Sequence, residues 1–348
     1  MSGLADEAPS AIHGGPDAQG AASHDFSTNG NACGPCEAVV AALRAADAAH
    51  YPDPLYTALR ERLAAFHGVA TERIVIAASA SEFIFRITAA VARRGGRTVT
   101  LPQHSYGDYK RAADAWGFES TDENNAAALV WLCDPSSPLG QCVDAIGSVI
   151  DRLHPDAICV LDLAYEPMRL QGSLGIAQHQ RDRVWQLWTP NKALGLTGVR
   201  AAYAIAPRVD NTGENGVRTN RRELLQTMIQ LAPSWPLGVH GSVLLESWTQ
   251  PATQNWLSRS LATLRGWKID QLALCRTLDW TPLPSMANFF CARLPERCDI
   301  GALALHLRAH GIKLRDTTSF GLPGHVRLAV ADPEAQRALE SAMRSAPR

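Results

Sequence analysis

The sequence predicts an α/β protein in which a large domain with a mainly parallel sheet is followed by a smaller α+β domain. Three observations carry that expectation. Between residues 73 and 206, short β-branched runs alternate with amphipathic helix-sized segments, the pattern of strands covered on both faces by helices. After a polar stretch at 211–220, helical patterns follow one another and strands become sparse. The chain has 348 residues, 46% of them apolar, which is enough for two cores rather than one.

In order, strands are expected at 73–77, 97–101, 128–132, 157–163, 184–189 and 200–206, with helices at 81–93, 106–116 and 143–153. The later part reads as helices at 221–231, 239–248 and 254–274, then strand 287–294, helix 300–310, strands 312–315 and 325–330, and helix 333–344. Residues 1–23, rich in Ala, Gly, Ser, Pro and Asp, read as a disordered leader. They lack the basic start and apolar stretch of a secretory signal. Residues 24–50 read as an N-terminal segment packing with the small domain, 51–240 as the large domain and 241–348 as the small one.

Thirty-three basic against 34 acidic residues give a formal charge of −1, so no broad positive field exists to hold nucleic acid or an anionic membrane. A small-molecule partner is expected. The apolar runs are strand-sized and fall short of the ~20 residues of a spanning helix. Eight cysteines are scattered through the chain, several within apolar runs, as in a reducing compartment, and a cytoplasmic location is expected. Cys33-Gly34-Pro35-Cys36 has redox spacing, but it precedes every strand pattern and no βαβ unit comes before its helical stretch at 37–45. No second close Cys or His pair completes four metal ligands, so no metal is expected.

Three segments carry chemistry. Ser79-Ala80-Ser81-Glu82 follows a strand and opens a helix with capping-box spacing, and free N–H groups at such a start bind phosphate. Asp162 ends an apolar strand at 157–163, the sheet edge where open α/β sheets bind ligands, with Tyr165 three residues on. Lys192 follows the strand at 184–189 inside a small-residue loop that can desolvate its amine. Arg200, eight residues later, is a fixed bidentate donor suited to a phosphate. Taken singly, each has a bland reading: an ordinary cap, a structural acid satisfied by loop amides, a solvated surface lysine. Their order along one chain argues otherwise.

With these residues, the chain across about 25–346 resembles the fold-type I pyridoxal-5'-phosphate (PLP) aminotransferases. Within them it is similar to the branch of histidinol-phosphate aminotransferase and threonine-phosphate decarboxylase. Further phrases carry the likeness: Phe26-Ser27-Thr28-Asn29, Tyr51-Pro52-Asp53-Pro54, Ser105-Tyr106-Gly107-Asp108-Tyr109, Pro135 to Gln141, Pro284-Ser285-Met286-Ala287-Asn288-Phe289-Phe290 and Val326-Arg327-Leu328. The resemblance implies the aspartate aminotransferase-like fold and a role in amino acid metabolism. It gives Lys192 as the Schiff-base lysine, Asp162 at the pyridine nitrogen, Tyr165 and Ser137 at the phenolic oxygen, and Tyr106 stacked on the ring. Ala80, Ser81, Thr189, Asn191 and Arg200 would hold the phosphate, with Tyr51 reaching it from a partner subunit, so a homodimer is implied. Arg327, Arg315 and Asn31 would bind substrate.

Two positions depart from the family pattern. Ser137 stands where the family usually has Asn, and its shorter hydroxyl has less reach. Asn191 replaces a serine but retains an amide that can donate. Transamination is the expected reaction. Decarboxylation of a phospho-amino acid is the alternative, since the phrases at 25–29 and 314–320 look closer to the decarboxylase. A non-catalytic binding module of the same fold is a third reading, which retention of Lys192, Asp162 and Arg200 argues against.

Overall fold

The computed structural model describes residues 14–124, 127–209 and 215–345. In chain order, strand β1 (His24–Asp25) and helices α1 (Glu37–Arg44) and α2 (Thr57–His67) lead into the larger unit. There β2 (Ile74–Ala77), α3 (Ala80–Arg93), β3 (Thr98–Thr100), α4 (Gly107–Ala115), β4 (Glu119–Ser120) and β5 (Leu129–Cys133) come first. Helix α5 (Ile146–Arg152), β6 (Ile158–Asp162), α6 (Gln178–Arg181), β7 (Trp185–Trp188) and β8 (Ala202–Ile205) complete it. Helices α7 (Asn215–Gln230), α8 (Val239–Trp248) and α9 (Pro251–Thr277) follow. The smaller unit holds β9 (Thr281–Pro282), β10 (Phe289–Arg293), α10 (Ile300–Ala309), β11 (Ile312–Lys313), β12 (Arg315–Asp316), β13 (His325–Ala329) and α11 (Pro333–Arg344).

The large sheet runs β2-β8-β7-β6-β5-β3-β4, with β8 antiparallel to both neighbours and the other pairings parallel. Alternation along the strands buries both faces. Leu129 and Trp131 of β5 pack under α3 and α4, while Val130 and Leu132 face α5. Because β5, β6 and β7 run the same way, their carboxyl ends open on one edge, where a ligand crevice forms. The second sheet, β12-β13-β10-β9, is antiparallel. One face of it carries Arg315, Arg327 and Phe289, because Arg315 lies opposite Arg327 and Phe289 lies two residues from Cys291, the partner of Arg327 on the other side.

Several boundaries differ from the sequence expectation. Helix α2 was not anticipated, although Leu59 and Leu63 form an i, i+4 pair on its buried side. Residues 14–23 of the expected leader are among the described residues. Asp17 pairs with Arg308 and Lys313, and Gly15 N–H donates to Ser27 Oγ, while residues 1–13 lie outside the described residues. The 24–50 segment is shared between the two units. β1 pairs with β11 and Phe26 joins the small core, whereas Cys36 and Val39 pack with α2 and α8 against the large sheet. The boundary at 240 falls inside α8, which stays with the large core. Helix α9 contributes Leu257 and Leu264 to the large core and Cys275 to the small one. The single strand expected at 312–315 is two, because β11 pairs with β1 and the chain then shifts so that β12 pairs with β13.

Candidate active site

Helix α3 begins as its sequence predicts. Ser79 Oγ accepts from Glu82 N–H at 3.0 Å, and the Glu82 carboxylate accepts from Ala78 N–H at 3.1 Å and pairs with Arg86 at 2.9 Å. The amides of Ala80 and Ser81 then remain as first-turn donors without intrahelical acceptors. Ser81 Oγ lies 3.1 Å from the Tyr106 hydroxyl, across the loop that follows β3.

Tyr106 and Tyr109 are three residues apart at the start of α4, so their rings meet edge to face at 5.9 Å. Tyr109 is fully buried, stacks on Trp131 at 4.3 Å, and donates its hydroxyl proton to Asp162 Oδ2 at 2.5 Å. Asp162 ends β6, and its other oxygen accepts from Ala164 N–H at 2.8 Å. Burial pushes this carboxyl above the ordinary carboxylate value, while the Tyr109 and Ala164 hydrogen bonds and the Lys192 charge pull it back.

Lys192 sits in the loop between β7 and β8. Its carbonyl accepts from Asn31 N–H at 2.9 Å, and its Nζ lies 5.1 Å from the centre of the Tyr165 ring. No ion pair engages it among the described residues. The loop is braced from within, because Thr189 Oγ1 donates to Asn191 Oδ1 at 2.7 Å and the Asn191 amide donates to the carbonyls of Thr197 and Val199 at 3.4 Å. It is also braced from outside, where Gly34 and Gly195 touch back to back. A Cβ on Gly195 would meet Gly34 Cα at 2.9 Å, and its φ of +67° already favours glycine.

Tyr165 packs its edge against Phe289 at 4.6 Å, and its hydroxyl accepts from Asn29 Nδ2 at 3.2 Å. From Phe289 the small-domain face continues. The Arg327 guanidinium lies 5.7 Å from both the Phe289 and Phe320 ring centres, and Arg315 lies 4.9 Å from Phe320. Arg327 is buried, donates to the Ser27 carbonyl at 2.9 Å, leaves Nε without a partner and has no ion pair among the described residues. Arg315 donates to Asp316 O and Ser319 Oγ, and burial together with the neighbouring Arg327 lowers its pKa to about 10. His104, on the large-domain side, binds Phe320 O at 2.8 Å.

The structure thus lays part of the expected set along a path made of two runs of contacts, Ser81, Tyr106, Tyr109 and Asp162 in one and Lys192, Tyr165, Phe289, Arg327 and Arg315 in the other, with the Lys192 charge acting on Asp162 between them. Ser137 is buried on the segment leaving β5, which Cys291 Sγ meets at Pro138 O. Four other expected residues lie outside this path. Asn31 is not turned to a substrate, since its amide donates to Ala193 O and its oxygen accepts from Cys33 N–H. Asn191 spends its amide on loop carbonyls, so it braces the loop instead of presenting a donor outward. Arg200 is exposed and has no hydrogen bond or ion pair among the described residues, and Tyr51 is 80% exposed, stacked on Trp235 at 4.6 Å; neither joins the path. Asn29, Tyr109, Phe289 and Phe320 stand in phrases that carry the resemblance, but the sequence reading gives them no role in the site. The spacing of Tyr106 and Tyr109 was a usable signal, whereas the other three meet the site through tertiary contacts alone.

Comparison with known proteins gives the family. The family model for aminotransferase class I and II matches residues 23–342, so the chain belongs to that family. Its enzyme class is that of the PLP-dependent transaminases. Over 342 residues it is 26% identical to histidinol-phosphate aminotransferase of Ruegeria pomeroyi, covering 92% of this chain and 90% of that protein. Histidinol-phosphate aminotransferase from Sinorhizobium meliloti, solved with pyridoxal-5'-phosphate, matches in fold with a TM-score of 0.77 at 20% identity, covering 99% of both chains. L-threonine-O-3-phosphate decarboxylase from Porphyromonas gingivalis matches with a TM-score of 0.74 at 20% identity, covering 92% of this chain and 98% of that one.

Proposed function

We propose that the chain transfers the amino group of a small amine that carries an anionic group, with Lys192 as the residue that holds PLP covalently. The observation that carries this reading is the placement of the Lys192 amine. It is free of ion pairs among the described residues, lies against Tyr165, and acts electrostatically on the buried carboxylate of Asp162. The residues present fit the cofactor. The Asp162 carboxylate would hold the ring nitrogen, Tyr106 would cover a ring face, and Tyr165 and Ser137 would meet the phenolic oxygen. Ala80 and Ser81 amides, with Thr189 and Arg200, would hold the phosphate. Arg327 Nε, buried without a partner, is a donor that an anionic group of the substrate would satisfy.

When bound, the cofactor supplies an electron sink for charge that develops at the substrate α-carbon. The rest falls to the chain. Lys192 Nζ takes the α-proton and returns it, Asp162 keeps a proton on the ring nitrogen, and Arg327 orients the substrate through two parallel N–H donors to a carboxylate or phosphate. Sequence relatives that are histidinol-phosphate aminotransferases make histidinol phosphate the first substrate to try. Incubation with PLP and a panel of amino and phospho-amino acids, measuring keto product and carbon dioxide separately, tests the reading. Keto product without carbon dioxide supports it. Carbon dioxide as the main product replaces it with the decarboxylase reading, and protein that stays colourless with PLP refutes both.

We also infer a cytoplasmic homodimer, with exposed Tyr51 reaching the phosphate held by a second copy. No helix among the described residues is long and apolar enough to cross a membrane. A fully active monomer at micromolar concentration would contradict the shared site.

A further inference from the structure

We propose that Asn29 is a positioning residue that acts on the chemistry through Tyr165, an inference that rests on the reading of Lys192 and Tyr165 above. Asn29 is 2% exposed and lies in the extended stretch between β1 and α1. That stretch is pinned from both sides of the cleft. Asn288 Nδ2, from the small domain, donates to the carbonyls of Asn29 and Gly30 at 3.2 and 3.0 Å. Asn31, from the same stretch, binds the Lys192 carbonyl through its backbone and Ala193 O through its side chain.

The contrast between the two asparagines is informative. Both side-chain atoms of Asn31 are taken up by backbone groups, which makes it a brace. Asn29 has one side-chain partner among the described residues, the Tyr165 hydroxyl at 3.2 Å, and its Oδ1 is buried without any. Whatever Asn29 contributes beyond packing therefore passes through Tyr165.

A phenol has one proton and an oxygen that accepts. With the Asn29 amide donating to that oxygen, the Tyr165 proton is turned elsewhere. The ring cannot swing to follow it, because Phe289 holds its edge and the Lys192 amine lies over its face. The proton is thus directed into the pocket as a donor to the cofactor's phenolic oxygen, and the amide behind it strengthens that donation.

The test uses the PLP-loaded protein and four variants: Asn29→Ala, Asn29→Asp, Tyr165→Phe, and Asn29→Ala combined with Tyr165→Phe. Two quantities are measured besides activity: the equilibrium affinity for PLP, and the pH midpoint of the visible absorption of the Lys192-bound cofactor. Thermal unfolding shows that each variant is folded. Asn29→Ala should weaken PLP binding about fivefold, the usual worth of one hydrogen bond. It should also raise the pH midpoint, in the same direction as Tyr165→Phe but by less, since a weaker donor stabilises the phenolic oxygen's charge less.

Asn29→Asp is nearly isosteric but only accepts when ionised, so it should draw the Tyr165 proton back and shift the midpoint further than Asn29→Ala. In the Tyr165→Phe background, Asn29→Ala should change nothing more. Additive effects in the double variant, or an Asn29→Asp variant that titrates as the wild type does, overturn the proposal. Wild-type protein that forms no adduct at Lys192 defeats the underlying reading instead, so the two failures are distinguishable.

Discussion

Asp162 sits where two physical effects oppose each other. Burial disfavours its charge, while the Tyr109 hydroxyl, the Ala164 amide and the Lys192 charge favour it. A cation placed against this carboxylate would tip the balance to the ionised form, which a strand-end acid needs to keep a ring nitrogen protonated. Asp162→Asn keeps the shape and removes the charge. Turnover should fall by about 10²–10³-fold, the loss typical of one preorganised electrostatic group. Because a buried charge is also removed, the unfolding temperature should change little. Steady-state rates near wild type would contradict the role. Arg327 makes a parallel case on the small-domain face, buried beside a second arginine and without an ion-pair partner among the described residues. Arg327→Lys keeps the charge and loses the planar fork, so kcat/KM for the amino substrate should drop by about 2 kcal/mol, some thirtyfold, with PLP affinity nearly unchanged. Weakened PLP binding with intact substrate kinetics would move Arg327 to the cofactor side.

At the scale of elements, the loop after β7 is shaped as much by what it touches as by its own sequence. Gly195 needs positive φ and a bare Cα, because Gly34 and Pro35 lie against it. Gly195→Ala should lower stability by about 2 kcal/mol, combining left-handed strain with a backbone clash. Since Lys192 lies three residues away, PLP affinity should fall as well, and calorimetry with PLP titration would check both. An alanine variant with unchanged unfolding and PLP binding would show that the loop does not depend on this contact. The same reasoning explains what the sequence reveals and what it hides. Strand–helix alternation, the α3 cap, the strand-end acid and the loop lysine are local patterns, and each lies where its pattern places it. Helix α2 went unread because its buried side amounts to Leu59, Leu63 and Ala64 among polar residues. The split of 312–315 depends on β1, some three hundred residues earlier in the chain, which no local period reports. Asn29 reaches Tyr165 across 136 positions, and Asn31, two residues away with the same chemistry, was the more visible candidate but serves the backbone.

The molecule as a whole is tied together by segments that ignore its domain boundary, the 24–31 stretch and helix α9, and the large unit also holds a polar cluster behind its sheet. In that cluster the Tyr203 oxygen accepts from Trp248 Nε1 at 3.2 Å and lies 2.7 Å from His67 Nε2. Burial, aided by Arg181, lowers the His67 pKa from 6.5 to about 4. The folded pKa is depressed, so this stability is complete above pH 6.5 and is lost as pH falls toward 4. Across that window the wild type should lose about 3 kcal/mol more than His67→Gln in urea unfolding. Identical pH profiles would show that His67 is not buried as described. The central claim concerns which lysine carries the cofactor. Lys268 is the physical rival, with its pKa lowered to about 8 by burial, but its ammonium donates to Ser285 O at 2.6 Å and Ala287 O at 2.7 Å and stays locked under the small domain. Borohydride reduction of the PLP-loaded protein followed by peptide mass mapping decides between them. A single pyridoxyl adduct on the Lys192 peptide, absent from folded Lys192→Ala protein, is the predicted result, and an adduct on Lys268, or one that survives in Lys192→Ala, would contradict the account.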